Sequence, residues 1–169
     1  MDDNINNLVY SWRGKMKNLK DKGFDDDFIR FFIHYICLDA WITNESGKNT
    51  DKGKLEWLIK SGGTLKTVFI DEKFDKTDLN KLRMFSPVKD MRPNPSDPDR
   101  CLEEPYEFEP VVRFIYQIRC NLFHGGKDPA NANDNDIILL AGEFLEKWIS
   151  CAQVESASKN TELTDLYNG

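Results

Sequence analysis

Hydrophobic residues occupy almost every face of the segment 28–43. A helix that is apolar all round is normally buried at the centre of a bundle, so we expect a central helix here. Residues 25–27 are all Asp, and they predict a firm helix start because carboxylates accept hydrogen bonds from the free amides of the first turn. The aromatic side chains of the segment are expected in the core: Phe31, Phe32, Tyr35 and Trp41.

Two further segments, 107–124 and 137–152, each carry one apolar stripe at helical spacing, with polar residues on the other faces. This pattern predicts amphipathic helices that bury one side against the rest of the protein. The polar connection at 131–136 is rich in residues that cap helices. Beyond residue 152 the apolar stripe ends, and we expect 153–169 to be a polar, frayed tail.

Shorter elements fill the region between the long helices. Residues 54–61 and 78–85 are predicted as short helices, and Gly62 closes the first of them. The segment 64–75 is ambiguous, because its β-branched residues favour a strand while its neighbourhood favours a helix. Residues 1–23 have a weak helical pattern with a lysine-rich face, which predicts a surface helix.

Six of the seven prolines lie between residues 87 and 110, and no long helix tolerates that spacing. We therefore predict a long Pro-rich loop at 87–110. Loops of this length in compact domains are often functional, so this one is either a lid or a variable insertion without a role.

These elements together predict an all-α fold, a bundle of four to five helices in one domain covering 1–169. We place the core bundle at 24–152, the surface helix at 1–23 and the polar tail at 153–169. A chain of 169 residues with 40% hydrophobic residues is long and apolar enough to form a core of its own.

The charge balance limits the classes of function. The formal net charge of −6 argues against broad, non-specific binding of nucleic acid, so any RNA contact has to be local. The four cysteines are widely spaced and form no close pair of the kind that binds zinc, and nothing indicates a secreted disulfide framework. The sequence shows no secretory signal and no membrane-spanning segment, and we expect a cytoplasmic protein.

Arg119 lies within the apolar stripe of the segment 107–124, four residues after Ile115 and one after Ile118. A guanidinium on an apolar face is costly unless it has a partner. We therefore expect Arg119 either to pair with an acid such as Asp39 or Glu143, or to line a cleft or an interface.

His124 follows at the predicted end of the same helix, directly before Gly125 and Gly126. The negative end of the helix dipole favours a protonated imidazole, which suits proton transfer near neutral pH. An ideal helix places His124 about 140° from Arg119, so the two share a site only if the last turn unwinds or two subunits meet. Capping of the helix end by His124 is the purely structural alternative.

The stretch from Ile118 to Lys127, with an Arg followed five positions later by a His and then by Gly-Gly, resembles the signature of the HEPN superfamily. The segment 28–43 is similar to the first core helix of that family, and 137–149 is similar to its last. The resemblance covers most of residues 24–150.

The resemblance implies a helical bundle that pairs as a homodimer, with the two motifs facing each other. It also implies a metal-independent endoribonuclease that uses no cofactor, in which a 2′-hydroxyl attacks the adjacent phosphate. His124 would transfer protons, Arg119 would stabilise charge on the phosphoryl oxygens, and Asn121 would orient either group. Lys127 and Arg113 would bind neighbouring phosphates of the RNA.

One position departs from the family pattern. Family nucleases usually have a polar residue directly after the Arg, whereas this chain has Cys120 there and Asn121 one place later. Three functions therefore remain open. The chain is a ribonuclease, acting as a toxin or defence effector with an antitoxin or other protein partner. Alternatively, it is a catalytically silent HEPN dimer that binds RNA, a nucleotide or a protein, or a purely structural bundle.

Overall fold

The structure, a computed structural model, describes residues 26–91, 98–123 and 131–168, with scattered helical positions between 7 and 21 and with side chains as far as 158. The predicted all-α bundle is confirmed, and the described ranges contain no strand. Six helices have defined bounds: α1 (Asp27–Ser46), α2 (Asp51–Lys60), α3 (Gly63–Ile70), α4 (Thr77–Arg83), α5 (Phe108–Phe123) and α6 (Ala132–Asn168).

Helix α1 begins where the aspartates predicted it. The Asp26 carboxylate accepts hydrogen bonds from the amides of Phe28, at 2.8 Å, and Ile29, at 3.1 Å. The helix ends at Gly47, which takes the left-handed conformation with φ of 65° and donates its amide to the Thr43 carbonyl. Helix α1 packs most extensively against α6, as expected of a central helix.

The core lies between α1, α5 and α6. Helices α3 and α4 also contribute buried side chains to it. Trp148 of α6 is buried and donates its indole N–H to the carbonyl of Leu65 at 2.8 Å. Its ring makes edge contacts with Phe69 and Phe108, which fixes α3 against α5 and α6. The large buried side chains are Phe31, Trp41, Leu65, Phe69, Leu79, Leu82, Phe114, Ile115, Ile118, Ile138, Phe144 and Trp148.

One aromatic residue of α1 is not in the core. Phe31 and Trp41 have no exposed surface, as predicted, but 39% of the surface of Phe32 is exposed. The expectation for Phe32 was wrong because the sequence pattern treats every face of α1 as covered, whereas the described neighbours leave this face open.

The ambiguous segment 64–75 forms a helix in its first part. Leu65, Val68 and Phe69 of α3 are buried at helical spacing, so packing decided against the strand that the local composition also allowed. Gly62, with φ of 63°, makes the sharp turn from α2 into α3. This confirms the predicted glycine stop of α2.

The Pro-rich loop is ordered in its described parts, 87–91 and 98–107. Val88 and Arg100 form one antiparallel bridge with amide–carbonyl distances of 2.8 and 2.9 Å. The amide of Leu102 donates to the Ser86 hydroxyl at 3.0 Å, and the side chains of Val88 and Leu102 are buried. These contacts hold both ends of the loop against the bundle.

Helix α6 is longer at both ends than predicted. The Asn131 side chain accepts a hydrogen bond from the amide of Asn133 at 2.9 Å, so the helix starts inside the segment expected to be a connection. It then continues to Asn168, so the segment predicted as a polar tail is helical at its described positions. Gln153 and Ser156 are buried, so polar residues carry the buried face onward after the apolar stripe has ended.

The N-terminal segment is helical at its described positions. Tyr10 and Lys15 are exposed, as expected of a surface helix, and Trp12 packs partly against the core. Among the described residues, no helix is both long and apolar enough to cross a membrane.

Candidate functional site

Arg119 lies near the C-terminal end of α5, and its guanidinium is paired with a carboxylate from another helix. Its Nη1 lies 3.0 Å from Oδ2 of Asp51, the first residue of α2. The Arg119 side chain is 22% exposed, so the pair sits at the edge of the bundle. Its partner is neither Asp39 nor Glu143, the two acids that the sequence suggests: Asp39 instead pairs with Lys54 at 2.7 Å.

Aromatic rings surround the same guanidinium. The Cζ atom of Arg119 lies 4.6 Å from the ring centroid of Phe123, 5.5 Å from that of Tyr35 and 5.9 Å from that of Tyr116. Cation–π contacts of this kind stabilise a charged guanidinium and restrict its orientation. Among the described residues, the buried Nε of Arg119 has no hydrogen-bond acceptor. The guanidinium is therefore fixed in place, and its Nε–H donates no hydrogen bond to the described residues.

The protonation state of Arg119 follows from two opposing effects. Burial lowers the pKa of the guanidinium, but the neighbouring Tyr35 and Asp51 raise it more, and the net shift is upward. Arg119 is therefore a permanent cation, available to stabilise negative charge but not to transfer protons.

The two tyrosines beside Arg119 are neutral at physiological pH. Burial raises the pKa of Tyr116 to about 12, although the Arg119 charge lowers it. Burial also raises the pKa of Tyr35 well above its usual range, against the same opposing effect of Arg119. Both hydroxyls therefore keep their protons: they can donate or accept hydrogen bonds, but they do not act as general bases.

The Asn121 side chain lies on the buried face of α5 and forms hydrogen bonds with the Pro-rich loop. Its Nδ2 donates to the Lys89 carbonyl at 2.8 Å, and its Oδ1 accepts from the amide of Met91 at 3.1 Å and from Nε2 of Gln117 at 2.9 Å. The side chain is only 3% exposed. In this structure Asn121 positions residues 89–91 and does not contact Arg119.

Cys120, the residue that departs from the family pattern, is buried, as is Cys37. The Cys120 thiol lies 4.0 Å from Nη1 of Arg119, a contact that is weak at most. Cys120 therefore adds little polar support to the guanidinium.

Arg113 lies on another face of α5. Its Nε and Nη2 contact Oε1 of Glu109 at 2.8 and 2.7 Å, an ion pair between residues one turn apart. It lines an open depression of about 380 Å³, together with Asp99, Arg100, Glu107 and Glu109. Three carboxylates outnumber two guanidiniums there, so this surface is a weak site for phosphate. The structure does not bring Arg113 together with Arg119.

Two of the predicted site residues, His124 and Lys127, lie outside the described residues. Helix α5 is described as far as Phe123, which directly precedes His124 in the chain. Their predicted roles stay predictions.

A narrow cleft opens between α1, α2 and α5 next to the Arg119–Asp51 pair. Tyr35, Tyr116, Asp39, Asp51 and Lys54 lie around it, and its volume is about 20 Å³. That volume holds roughly one water molecule and cannot admit a nucleotide. A ligand that reaches Arg119 therefore binds on the surface.

Sequence reasoning missed Asp51 and the aromatic surroundings of Arg119. Asp51 follows Thr50, whose hydroxyl accepts from the amide of Gly53, so its only local signal is that of a first-turn acid. Nothing in that signal indicates a partner on α5.

Within the described ranges, no group of three or more His, Cys, Asp or Glu side chains is arranged to hold a metal ion. No family model, curated protein or solved structure matches this chain. The HEPN resemblance therefore rests on the residues that carry it.

Proposed function

We propose that this protein is a HEPN-type endoribonuclease that cleaves RNA without a metal ion and acts as a homodimer. The observation that supports this function best is the fixed guanidinium of Arg119. It is a permanent cation, partly exposed, held by Asp51 and three aromatic rings, and it lies five residues before His124 in the chain.

The reaction requires one proton donor, one proton acceptor and a fixed positive charge. The 2′-oxygen forms a bond to phosphorus while the bond from phosphorus to the 5′-oxygen breaks, which leaves a cyclic phosphate and a 5′-hydroxyl. One His124 takes the proton of the 2′-hydroxyl, and the leaving 5′-oxygen receives a proton from the His124 of the second subunit or from water. Arg119 stabilises the charge that develops on the non-bridging oxygens.

The remaining predicted residues take supporting roles. Asn121 acts as a positioning residue, because its amide holds the loop 87–91 against α5. Lys127 binds a phosphate next to the cleaved bond. Arg113 contacts a more distant part of the RNA, since it lies on another face of α5 and is already paired with Glu109.

The acidic net charge of −6 fits an enzyme that holds few phosphates better than one that coats a long nucleic acid. In a cell, such an activity would suit a toxin or defence effector that a protein partner restrains. Expression of the wild-type chain would then arrest growth, whereas His124→Ala would not.

A second function is a catalytically silent HEPN dimer that binds RNA, a nucleotide or a partner protein. Two observations favour it: Asp51 already neutralises Arg119, and Cys120 stands where family nucleases have a polar residue. The two functions differ in one property, which is bond cleavage.

The test is incubation of labelled mixed-sequence RNA in EDTA with the purified wild-type chain and with His124→Ala. Cleavage by the wild type alone, leaving cyclic-phosphate and 5′-hydroxyl ends, supports the nuclease. Cleavage that survives in His124→Ala indicates a contaminating nuclease or a different site. Binding of RNA by both proteins without cleavage supports the silent dimer.

A further inference from the structure

Two phenylalanine rings lie in contact on the surface where α1 meets the end of α5. The ring centroids of Phe32 and Phe123 are 5.5 Å apart, with 38° between the ring planes. Phe32 is 39% exposed and Phe123 is 49% exposed. Apolar rings that remain in water cost free energy, so this exposed pair is a candidate binding surface.

Arg119 makes this surface different from the other exposed apolar positions that the structure describes. Its Cζ lies 4.6 Å from the centroid of Phe123, and its side chain is partly exposed. Of the other exposed large hydrophobic side chains, Ile70, Met84, Met91 and Val154 have no aromatic ring, and Tyr10 lies in the N-terminal segment. Phe32, Phe123 and Arg119, which we call the aromatic platform, combine two π-faces with a permanent positive charge.

This combination matches the chemistry of one nucleotide. A nucleobase stacks on an aromatic ring through its π-face, and the phosphate next to it attracts a guanidinium. The neighbouring cleft of about 20 Å³ cannot enclose a base, so the base has to bind on the surface. Bases in a duplex are stacked on each other, and only an unpaired base offers a free face to a protein.

We propose that the aromatic platform stacks one unpaired nucleobase of single-stranded RNA while Arg119 holds the adjacent phosphate. The proposal rests on the nuclease function above and specifies its substrate as single-stranded RNA. Phe123 directly precedes His124, the predicted proton-transfer residue, in the sequence.

A protein partner fits this surface less well. An apolar protein interface here would bury the Arg119–Asp51 ion pair and remove both charges from water, and that desolvation costs free energy without a compensating contact. A phosphate instead supplies a new anion for Arg119 and leaves Asp51, which is 49% exposed, in water.

The test measures binding of a short labelled single-stranded RNA by fluorescence anisotropy, with His124→Ala in every protein so that no cleavage interferes. Phe32→Leu and Phe123→Leu keep an apolar side chain but remove the ring, and each should weaken binding about tenfold. Phe32→Tyr keeps the ring and should bind as the parent does. Met84→Leu, an exposed change directly after α4, is the matched control and should have no effect.

A second ligand separates base stacking from phosphate attraction. An abasic oligomer with the same number of phosphates should bind more weakly than the RNA. Its affinity should be the same for the parent and for all variants. Thermal unfolding of each variant verifies that the fold is retained.

The proposal is overturned if the parent binds no RNA, if the Leu variants keep the affinity of the parent, or if the abasic oligomer binds as tightly as RNA. Loss of self-association in the Leu variants without loss of RNA affinity would assign the two rings to an interface between copies. These outcomes do not depend on cleavage. The base-stacking proposal and the nuclease proposal are therefore tested separately.

Discussion

Asp51 and Arg119 form a 3.0 Å ion pair that joins the first residue of α2 to the C-terminal part of α5. The pair spans two helices that are far apart in sequence and places a carboxylate where a substrate phosphate would bind. In the proposed enzyme, Asp51 both orients the guanidinium and competes with RNA for it.

Removal of the Asp51 charge should therefore strengthen RNA binding. In Asp51→Asn the guanidinium loses its competing carboxylate, and RNA affinity should rise by up to about fivefold. The stability cost should stay within about 1 kcal/mol, because the Asp51 side chain is half-exposed and the pair is screened by water. Fluorescence anisotropy and urea unfolding measure the two effects.

Asp39→Asn is the matched control for this change. It removes the same charge from the same neighbourhood, but Asp39 pairs with Lys54 and not with Arg119. Equal gains in RNA affinity for the two variants would show that net charge, and not release of Arg119, causes the effect.

Asn121 should be important for stability. Asn121→Ala leaves the Lys89 carbonyl, the Met91 amide and Gln117 Nε2 without their present partner, and these groups lie in a buried or partly buried region. The loss should amount to about 2–4 kcal/mol in urea unfolding. Asn80→Ala is the control, because Asn80 accepts one exposed hydrogen bond from Tyr106, and it should cost less than about 1 kcal/mol. Similar losses for both variants would contradict the role of Asn121 in holding the loop.

Tyr116 should make the fold sensitive to alkaline pH. Its folded-state pKa is raised by burial from 10.0 to about 12, so its contribution to stability is complete below pH 10 and is lost as the pH rises through about 12. Tyr116→Phe removes this ionisation. The wild type should lose roughly 1 kcal/mol more than the variant across that window, since the half-buried phenol is partly screened by water.

Chemical unfolding at several pH values between 10 and 12 checks this difference. Other tyrosines and lysines titrate in both proteins and cancel when the two are compared. Parallel stability curves for wild type and Tyr116→Phe would mean that the phenol ionises equally in folded and unfolded chains.

The long-range features of the site could not be predicted from the sequence, whereas its local ones could. The cap at Asp26 and the buried stripe of α5 follow from patterns within a few residues, and both were predicted correctly. The Asp51–Arg119 pair depends on how α2 packs beside α5, which no local pattern encodes. Phe32 shows the same limit, because hydrophobicity alone does not tell which face of an apolar helix stays partly exposed.

Helix α6 illustrates a different limit. The apolar stripe predicted it correctly over 137–152, but its continuation depends on Gln153 and Ser156, polar residues that are buried. A helix predicted from the spacing of hydrophobic residues ends where the buried positions become polar. The extension was therefore invisible to the pattern although the helical geometry is unchanged.

In the proposed reaction, Arg119 stabilises the charge that develops during RNA cleavage. The most direct measurement is the single-turnover cleavage rate in EDTA, at saturating labelled single-stranded RNA, for the wild type, Arg119→Ala and Arg113→Ala. Arg113 is the control because it lies on the same helix but on another face, paired with Glu109.

We predict that Arg119→Ala lowers the rate by at least about a hundredfold, the typical effect of removing one donor that stabilises transition-state charge. Arg113→Ala should weaken RNA binding at most and leave the saturated rate within about twofold of the wild type. Equal rates for the wild type and a folded Arg119→Ala, or no cleavage by any of the three proteins, would contradict the proposed function.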